Sequence, residues 1–318
     1  MYLNFLYCFD RNFNVQGAVA INSLLNNVTS KVNIYIIHDE VDSFNMYLQI
    51  IKKHKNLNSV QIYKFNKSSV KLPTFKTHFS EATFYRLFMS EYLPKNIEHI
   101  MYLDADILCL NNPEIEVKNT IIKMKDENRT LAATTIGTRA DSRELFEKLG
   151  LKNNKHLNAG VLLVDYVKWN ELKIQEKLIS ILNERFEKIF HFDQELLNVL
   201  FDGDYTELGE ILNFGYTKME NDPIEMQKVK RDVIFLHYSG KGKPWNVENI
   251  PYLSSKPYQE EYQNLNLDKY HLEFNKSFIT FRRFIKIVLN GKFLRLKYPK
   301  SYLLLSMRQL LKLPQREK

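Results

Sequence analysis

The sequence predicts an α/β protein: a mixed, mainly parallel sheet with helices on both faces. Three observations predict it. Short apolar strands alternate with helical segments through the first half of the chain, which is the punctuation of βαβ units. The apolar run over residues 97–103 stops at Asp104-Ala105-Asp106, as a buried strand does when its C-terminal end opens into a crevice. The 318 residues, 44% of them apolar, suffice for one sizeable α/β domain with an appendage.

The elements follow in order. Residues 3–9 are apolar and aromatic and read as a first strand; no basic n-region precedes them, so they are not read as a signal peptide. A helix is predicted near residues 15–27, a β-branched strand over 32–38, a helix near 44–54 and a strand over 60–65. A polar loop over 66–78 leads to an amphipathic segment, 81–93, a helix that carries Arg86 ahead of the Asp-bearing strand. Further strands are predicted at 130–135, 160–165 and 233–236, with helical stretches between the first two. Pro251, Ser254, Ser255 and Pro257 break the pattern, which divides the chain into a body, 1–255, and a helical extension, 256–318.

Charge is distributed unevenly. The formal net charge is +8, yet residues 276–318 hold twelve Lys and Arg against Glu317 alone, a net +11, so the first 275 residues carry −3. A nucleic-acid enzyme places its positive charge along the substrate groove, and this distribution argues against nucleic acid as a partner. The extension mixes Phe278, Phe281, Ile285, Val288 and Leu289 with Arg282, Arg283 and Lys286. A second stretch mixes Leu303, Leu304, Leu305, Met307, Leu310 and Leu311 with Arg308 and Lys312. Both suit basic amphipathic helices lying on an anionic membrane surface; the alternative is a packed extension or a homodimer seam. No run approaches the roughly 20 apolar residues of a membrane span. Cys8 and Cys109 fall inside apolar segments, where a buried thiol is expected, in keeping with a reducing cytoplasm.

The chemistry begins with Asp104 and Asp106. At i and i+2 of an extended segment the two carboxylates share one face and can present hard oxygen ligands to a divalent cation that neutralises phosphates. After the strand at 233–236 comes His237-Tyr238-Ser239-Gly240-Lys241-Gly242-Lys243-Pro244-Trp245. A neutral imidazole suits Mn²⁺, so His237 completes a two-carboxylate, one-histidine set, with Mg²⁺ as the alternative ion. Gly240 and Gly242 permit close backbone approach, and Lys243 suits a departing diphosphate. With ten glycines in all and no glycine-rich phosphate loop, phosphate falls to the metal and side chains. A core histidine before a solvated turn is the plainer account of His237 alone.

Taken together these segments resemble glycosyltransferase family 8, the retaining GT-A enzymes. The likeness runs from about residue 3 to 245 and includes F-D-R-N-F at 9–13, T-F-Y-R-L at 83–87, L-N-A-G-V-L-L-V-D at 157–165 and F-D-Q-E-L-L-N at 192–198, besides the L-D-A-D and H-Y-S-G-K-G-K-P-W segments. The resemblance implies transfer of galactose or glucose from a UDP-hexose to a glycan, glycolipid or glycoprotein acceptor, with retention of configuration; the cysteines point to the cytoplasm and the basic extension to the inner face of the plasma membrane. It implies that Asp10 and Asn12 contact the nucleotide and Arg86 the diphosphate or sugar. Asp104 and Ala105 would line the nucleotide-sugar site with Gly240 and Lys243, and Asn158 and Ala159 would lie beside the hexose. Asp193 and Gln194 would grip its hydroxyls near the anomeric carbon and, with Lys243, form the catalytic set. One departure stands out: after the strand at 130–135, where the family commonly has Asp or Asn, this chain has Ile136-Gly137, with Asp141 and Arg139 nearby. A nucleotidyltransferase and a catalytically silent scaffold are the rival classes.

Overall fold

The structure is a computed structural model that describes residues 2–66, 81–185, 192–215, 222–240, 242–275 and 277–311, with the backbone alone at 185 and 192. Most of the loop predicted at 66–78, Lys241 and Lys312 lie outside the described residues.

Ten strands are described: β1 (Asn4–Phe9), β2 (Val32–His38), β3 (Leu57–Lys64), β4 (His99–Leu103), β5 (Ile107–Cys109), β6 (Leu131–Gly137), β7 (His156–Asp165), β8 (Thr206–Glu207), β9 (Phe214–Gly215) and β10 (Phe235–His237). Seven form one sheet in the order β3-β2-β1-β4-β7-β6-β8. It is mainly parallel, as predicted, but β7 runs antiparallel to both β4 and β6. A small second sheet, β5-β10-β9, sits beyond the end of β4.

Alternation along β1 builds the two faces. Phe5, Tyr7 and Phe9 pack with Ala18, Ile21 and Leu25 of the helix Asn14–Asn27, while Leu6 and Cys8 pack on the opposite side with Phe84, Phe88 and Trp169. Both cysteines are free and buried.

The segment before β4 departs from the predicted amphipathic helix. Residues Glu81–Phe88 form 3₁₀ turns, followed by a single α turn, Met89–Tyr92. Five consecutive residues, from Phe84 to Phe88, are buried. A segment enclosed on every side has no solvent face to template an α-helical stripe, and Arg86 Nε closes the tighter turn onto Thr83 O at 3.0 Å.

Residues 256–311 include the helices Lys256–Asn264, Phe278–Leu289 and Pro299–Leu311. Tyr258, Tyr262 and Leu265 join the main core. Tyr270, Leu272, Phe274, Phe284, Ile287 and Tyr302 form a separate cluster with Val247 and Ile250. Among the described residues, no helix is long and apolar enough to cross a membrane.

Candidate active site

The sheet reverses its direction of growth between β1 and β4. From β1 it extends to β2 and β3 on one side, and β4 then joins on the other. Such a switch point opens a crevice at the carboxyl ends of its two strands. Asp10 follows the last residue of β1, and Asp104 that of β4.

Asp104 and Asp106 do not lie along an extended strand as predicted. The chain turns after Leu103, and Ile107 N–H closes the turn onto Asp104 O at 3.2 Å. The turn sends β5 out of the main sheet to pair antiparallel with β10, which sets His237 opposite Ile107. One ligand atom from each of Asp104, Asp106 and His237 then lies within 4.8 Å of the others. Ala105, between the two carboxylates, is buried in the core.

The imidazole is oriented by a chain of amides anchored on backbone donors. Gly160 N–H donates to Asn158 Oδ1 at 2.9 Å, so Asn213 Nδ2 must donate to that same oxygen, also at 2.9 Å. Asn213 therefore turns its Oδ1 to His237 Nδ1, 2.9 Å away, which puts the ring proton on Nδ1 and leaves the Nε2 lone pair free. Nε2 faces Asp106 Oδ1 at 3.3 Å, a buried oxygen with no hydrogen-bond donor. Two acceptors held face to face are satisfied by a cation, so the residues fit a divalent metal. The other carboxylate oxygen, Oδ2, accepts from Lys243 Nζ, which also donates to Tyr238 O at 2.7 Å. Burial acts to raise the Asp106 pKa, but the Lys243 ammonium holds the carboxyl well below the usual range.

Arg86 is buried rather than exposed on a helix surface. Its Nη2 lies 2.9 Å from Asp104 Oδ1, Nη1 donates to Ala159 O, and the guanidinium stacks 4.1 Å over the Tyr102 ring. The Tyr102 hydroxyl donates to Asp104 Oδ1 as well. Burial works against the Arg86 charge, yet Asp104 and Asp193 raise its pKa far above the usual value. Arg86 Nε is 2.8 Å from Asp193 Oδ2, but its hydrogen is aimed at Thr83 O, so Asp193 gains a charge contact without a directed bond. Burial accordingly pushes Asp193 up to about 7, against the pull of Arg86 and with Asp104 adding to the rise.

Gln194 Oε1 accepts from Ala159 N–H at 3.1 Å and Asn158 Nδ2 at 3.2 Å, which ties the helix Phe192–Phe201 to the start of β7. One network thus joins Arg86, Asp104, Asp193, Asn158, Ala159, Gln194, His237, Asp106 and Lys243. Asp10 and Asn12 stand beside it at the end of β1, where Asp10 Oδ1 accepts from Asn12 N–H at 2.9 Å. Gly240 occupies the left-handed region, φ +73°, in the turn between His237 and Lys243, and a Cβ on Gly242 would have open space around it.

Residues 4–249 match the family described as "Glycosyl transferase family 8". The chain belongs to glycosyl transferase family 8. It is similar to a lipopolysaccharide 1,2-glucosyltransferase of Escherichia coli, 25% identical over 93% of this chain and 90% of that one. It is also similar to a lipopolysaccharide 1,3-galactosyltransferase of Salmonella typhimurium, at 25% over 76% and 73%. Its fold matches the crystal structure of the galactosyltransferase LgtC with donor and acceptor sugar analogs, with TM-score 0.68 and 19% identity over 84% of this chain and 97% of that one. The architecture is therefore GT-A, as the resemblance implied.

Within this family 8 site, sequence reasoning missed Asn213. It lies 24 residues before His237 in an unremarkable segment, and no local pattern links the two. At the Ile136-Gly137 departure, Asp141 accepts from Thr138 N–H and Oγ1 at 2.7 and 2.6 Å, and the Arg139 guanidinium bonds Leu151 O. Both are tied within the connection between β6 and β7.

Proposed function

We propose that the protein transfers galactose or glucose from a UDP-hexose, with retention of the α configuration, to a glycan acceptor in bacterial surface glycoconjugate synthesis. The observation that carries this reading is the Asp104, Asp106 and His237 cluster with Lys243 on the same carboxylate, set at the switch point of a family 8 chain. The relatives named as lipopolysaccharide glucosyl- and galactosyltransferases supply the substrate class.

Asp104, Asp106 and His237 would hold the divalent ion, Mn²⁺ or Mg²⁺, which when bound supplies Lewis-acid neutralisation of a diphosphate. Lys243 would add a cation where charge develops on the leaving group, and positioned charge of this kind is the main lever for stabilising an oxocarbenium-like transition state. Asp10 and Asn12 would meet the nucleoside at the end of β1, with Ala105 and Gly240 offering backbone. Arg86 has donors committed to Thr83, Ala159 and Asp104, so on this reading it positions the carboxylates instead of touching the diphosphate. Asn158, Ala159 and Asp193 would frame the hexose.

Gln194 bears on the choice between direct return and double displacement. Its Oε1 already accepts two N–H donors, and Asp193 is buried against Arg86. Neither is a free nucleophile, which favours a route in which the diphosphate oxygen takes the acceptor proton and no enzyme-linked intermediate forms.

In the same reading residues 1–255 carry catalysis. The extension, 256–318, brings a cytoplasmic enzyme to a lipid-linked acceptor at the inner leaflet. Phe278, Phe281, Ile285 and Leu289 recur at helical spacing on an exposed face, beside Arg282 and Lys286.

The test is UDP release from a panel of UDP-sugars with Mn²⁺, with and without chelator. Chelator-sensitive release from UDP-galactose or UDP-glucose is the expected result and names the donor. Stabilisation by UDP with no turnover, even with candidate acceptors added, would favour the silent scaffold.

A further inference from the structure

A cavity of about 700 Å³ lies away from the carboxylate cluster, between the body and the extension. Four cations line it, Lys256, Lys292, Arg295 and Lys297, against one carboxylate, Glu260. Glu260 is already paired with Lys230 at 3.2 Å and Lys256 at 3.7 Å. Among the described residues, Lys292, Arg295 and Lys297 have no carboxylate within ion-pair reach. Lys292 and Lys297 rest only on the faces of Tyr252, at 5.7 Å, and Tyr298, at 5.3 Å. Residues Lys292–Arg295 form a 3₁₀ turn, which places the side chains at i and i+3 one above the other on the same side.

Ile250, Leu253, Ile287 and Leu296 give the lining an apolar share, beside the polar Gln259 and Gln263. Three unmatched cations above an apolar floor suit an anionic amphiphile better than a free sugar or a nucleotide. A phosphate monoester offers several oxygens to the Arg295 fork and two ammonium groups at once. The helix Phe278–Leu289 links the cavity to a surface. It turns Ile287 into the cavity and exposes Phe278, Phe281, Ile285 and Leu289 elsewhere.

We propose that this cavity binds the phosphate headgroup of an anionic membrane lipid, so that the extension reads a specific headgroup as well as general negative charge. This rests on the reading that the extension meets a membrane. It is independent of sugar transfer, because its test needs neither donor nor acceptor.

The experiment uses the full chain and phosphatidylcholine vesicles containing phosphatidic acid. One variant carries Lys292→Ala, Arg295→Ala and Lys297→Ala. Its control carries Arg282→Ala, Lys286→Ala and Lys300→Ala, three exposed cations outside the cavity. Both lose three charges and hence the same general attraction, about fivefold in partitioning per cation near the surface. The cavity variant is expected to lose about tenfold more than the control. Equal losses would overturn the proposal and leave only a non-specific basic face. In a membrane-free arm, soluble dihexanoyl phosphatidic acid should raise the Tm of the wild type and the control but not of the cavity variant. An equal rise with inorganic phosphate would overturn the lipid assignment in favour of a free-phosphate site. No rise in any protein would overturn the site itself. All six positions are exposed, and unchanged Tm without ligand confirms that the variants fold.

Discussion

A Cβ added to Gly160 would lie 2.3 Å from Cε1 of His237 and 2.9 Å from its Nδ1. The missing side chain is what lets β7 and the end of β10 approach closely enough for the imidazole to face Asp106. Gly160→Ala should push the ring off Asn213 and lower Mn²⁺ affinity about 10–100-fold, the usual effect of disturbing a ligand's support. Calorimetric titration of Mn²⁺ in the absence of donor measures this. Wild-type affinity in a folded variant would remove His237 from the ligand set.

Asp106 is the carboxylate shared by His237 and Lys243. Asp106→Asn keeps the shape and removes the charge, so metal-dependent UDP release should fall at least about 100-fold. Near-wild-type release by this variant, still sensitive to chelator, would show that the ion is held elsewhere.

Arg86→Lys keeps a positive charge but loses the planar fork that reaches Thr83, Ala159 and Asp104 together. Buried acceptors left without their donors typically cost about 1–3 kcal/mol. Denaturant unfolding should show a loss of that order, and a loss under about 1 kcal/mol would mean that the fork carries little.

Asp193 supplies a pH dependence with a definite sign. Its folded pKa, about 7, lies above the ordinary carboxylate value, so the native state holds the proton more tightly than the unfolded chain does. Its contribution is fully present below the unfolded value near 4 and is lost as the pH rises through about 7, by on the order of a few kcal/mol. Asp193→Asn should flatten this decline, read as the difference in unfolding free energy between pH 5 and pH 8. A wild-type protein as stable at pH 8 as the variant, relative to each at pH 5, would contradict the assignment.

Phe278 and Leu289 are each 79% exposed, so replacing them should leave the fold intact. If both enter the headgroup region, each contributes up to about 1.5–3 kcal/mol. Phe278→Ser with Leu289→Ser should then lower partitioning onto anionic vesicles on the order of a hundredfold, with UDP release in solution unchanged. Undiminished co-sedimentation would exclude this face as the membrane contact.

Much of this was written locally in the chain. Continuous apolar runs placed β1, β2, β4 and β10 to within a few residues, because a strand covered on both faces is apolar at nearly every position. Asp104, Asp106, His237 and Lys243 were legible because each sits in a short segment whose polar residues interrupt an apolar run. Strands β8 and β9 were not, since two residues are too few to show a pattern.

The meeting of distant segments was decided only by tertiary structure. The sequence supplied a Lys243 and an Asp106, 137 residues apart, but the antiparallel pairing of β5 with β10 put one on the other. The reversed direction of β7 set Gly160 beside Asp104, and the amide chain through Asn213 fixed the imidazole proton. Arg86, expected at the diphosphate or sugar, is buried and bound to Asp104, Ala159 and Thr83 at the centre of the carboxylate network. Local periodicity records which side of an element is covered, whereas pairing and enclosure depend on the whole packed sheet, and that is where the site's charges acquire their partners.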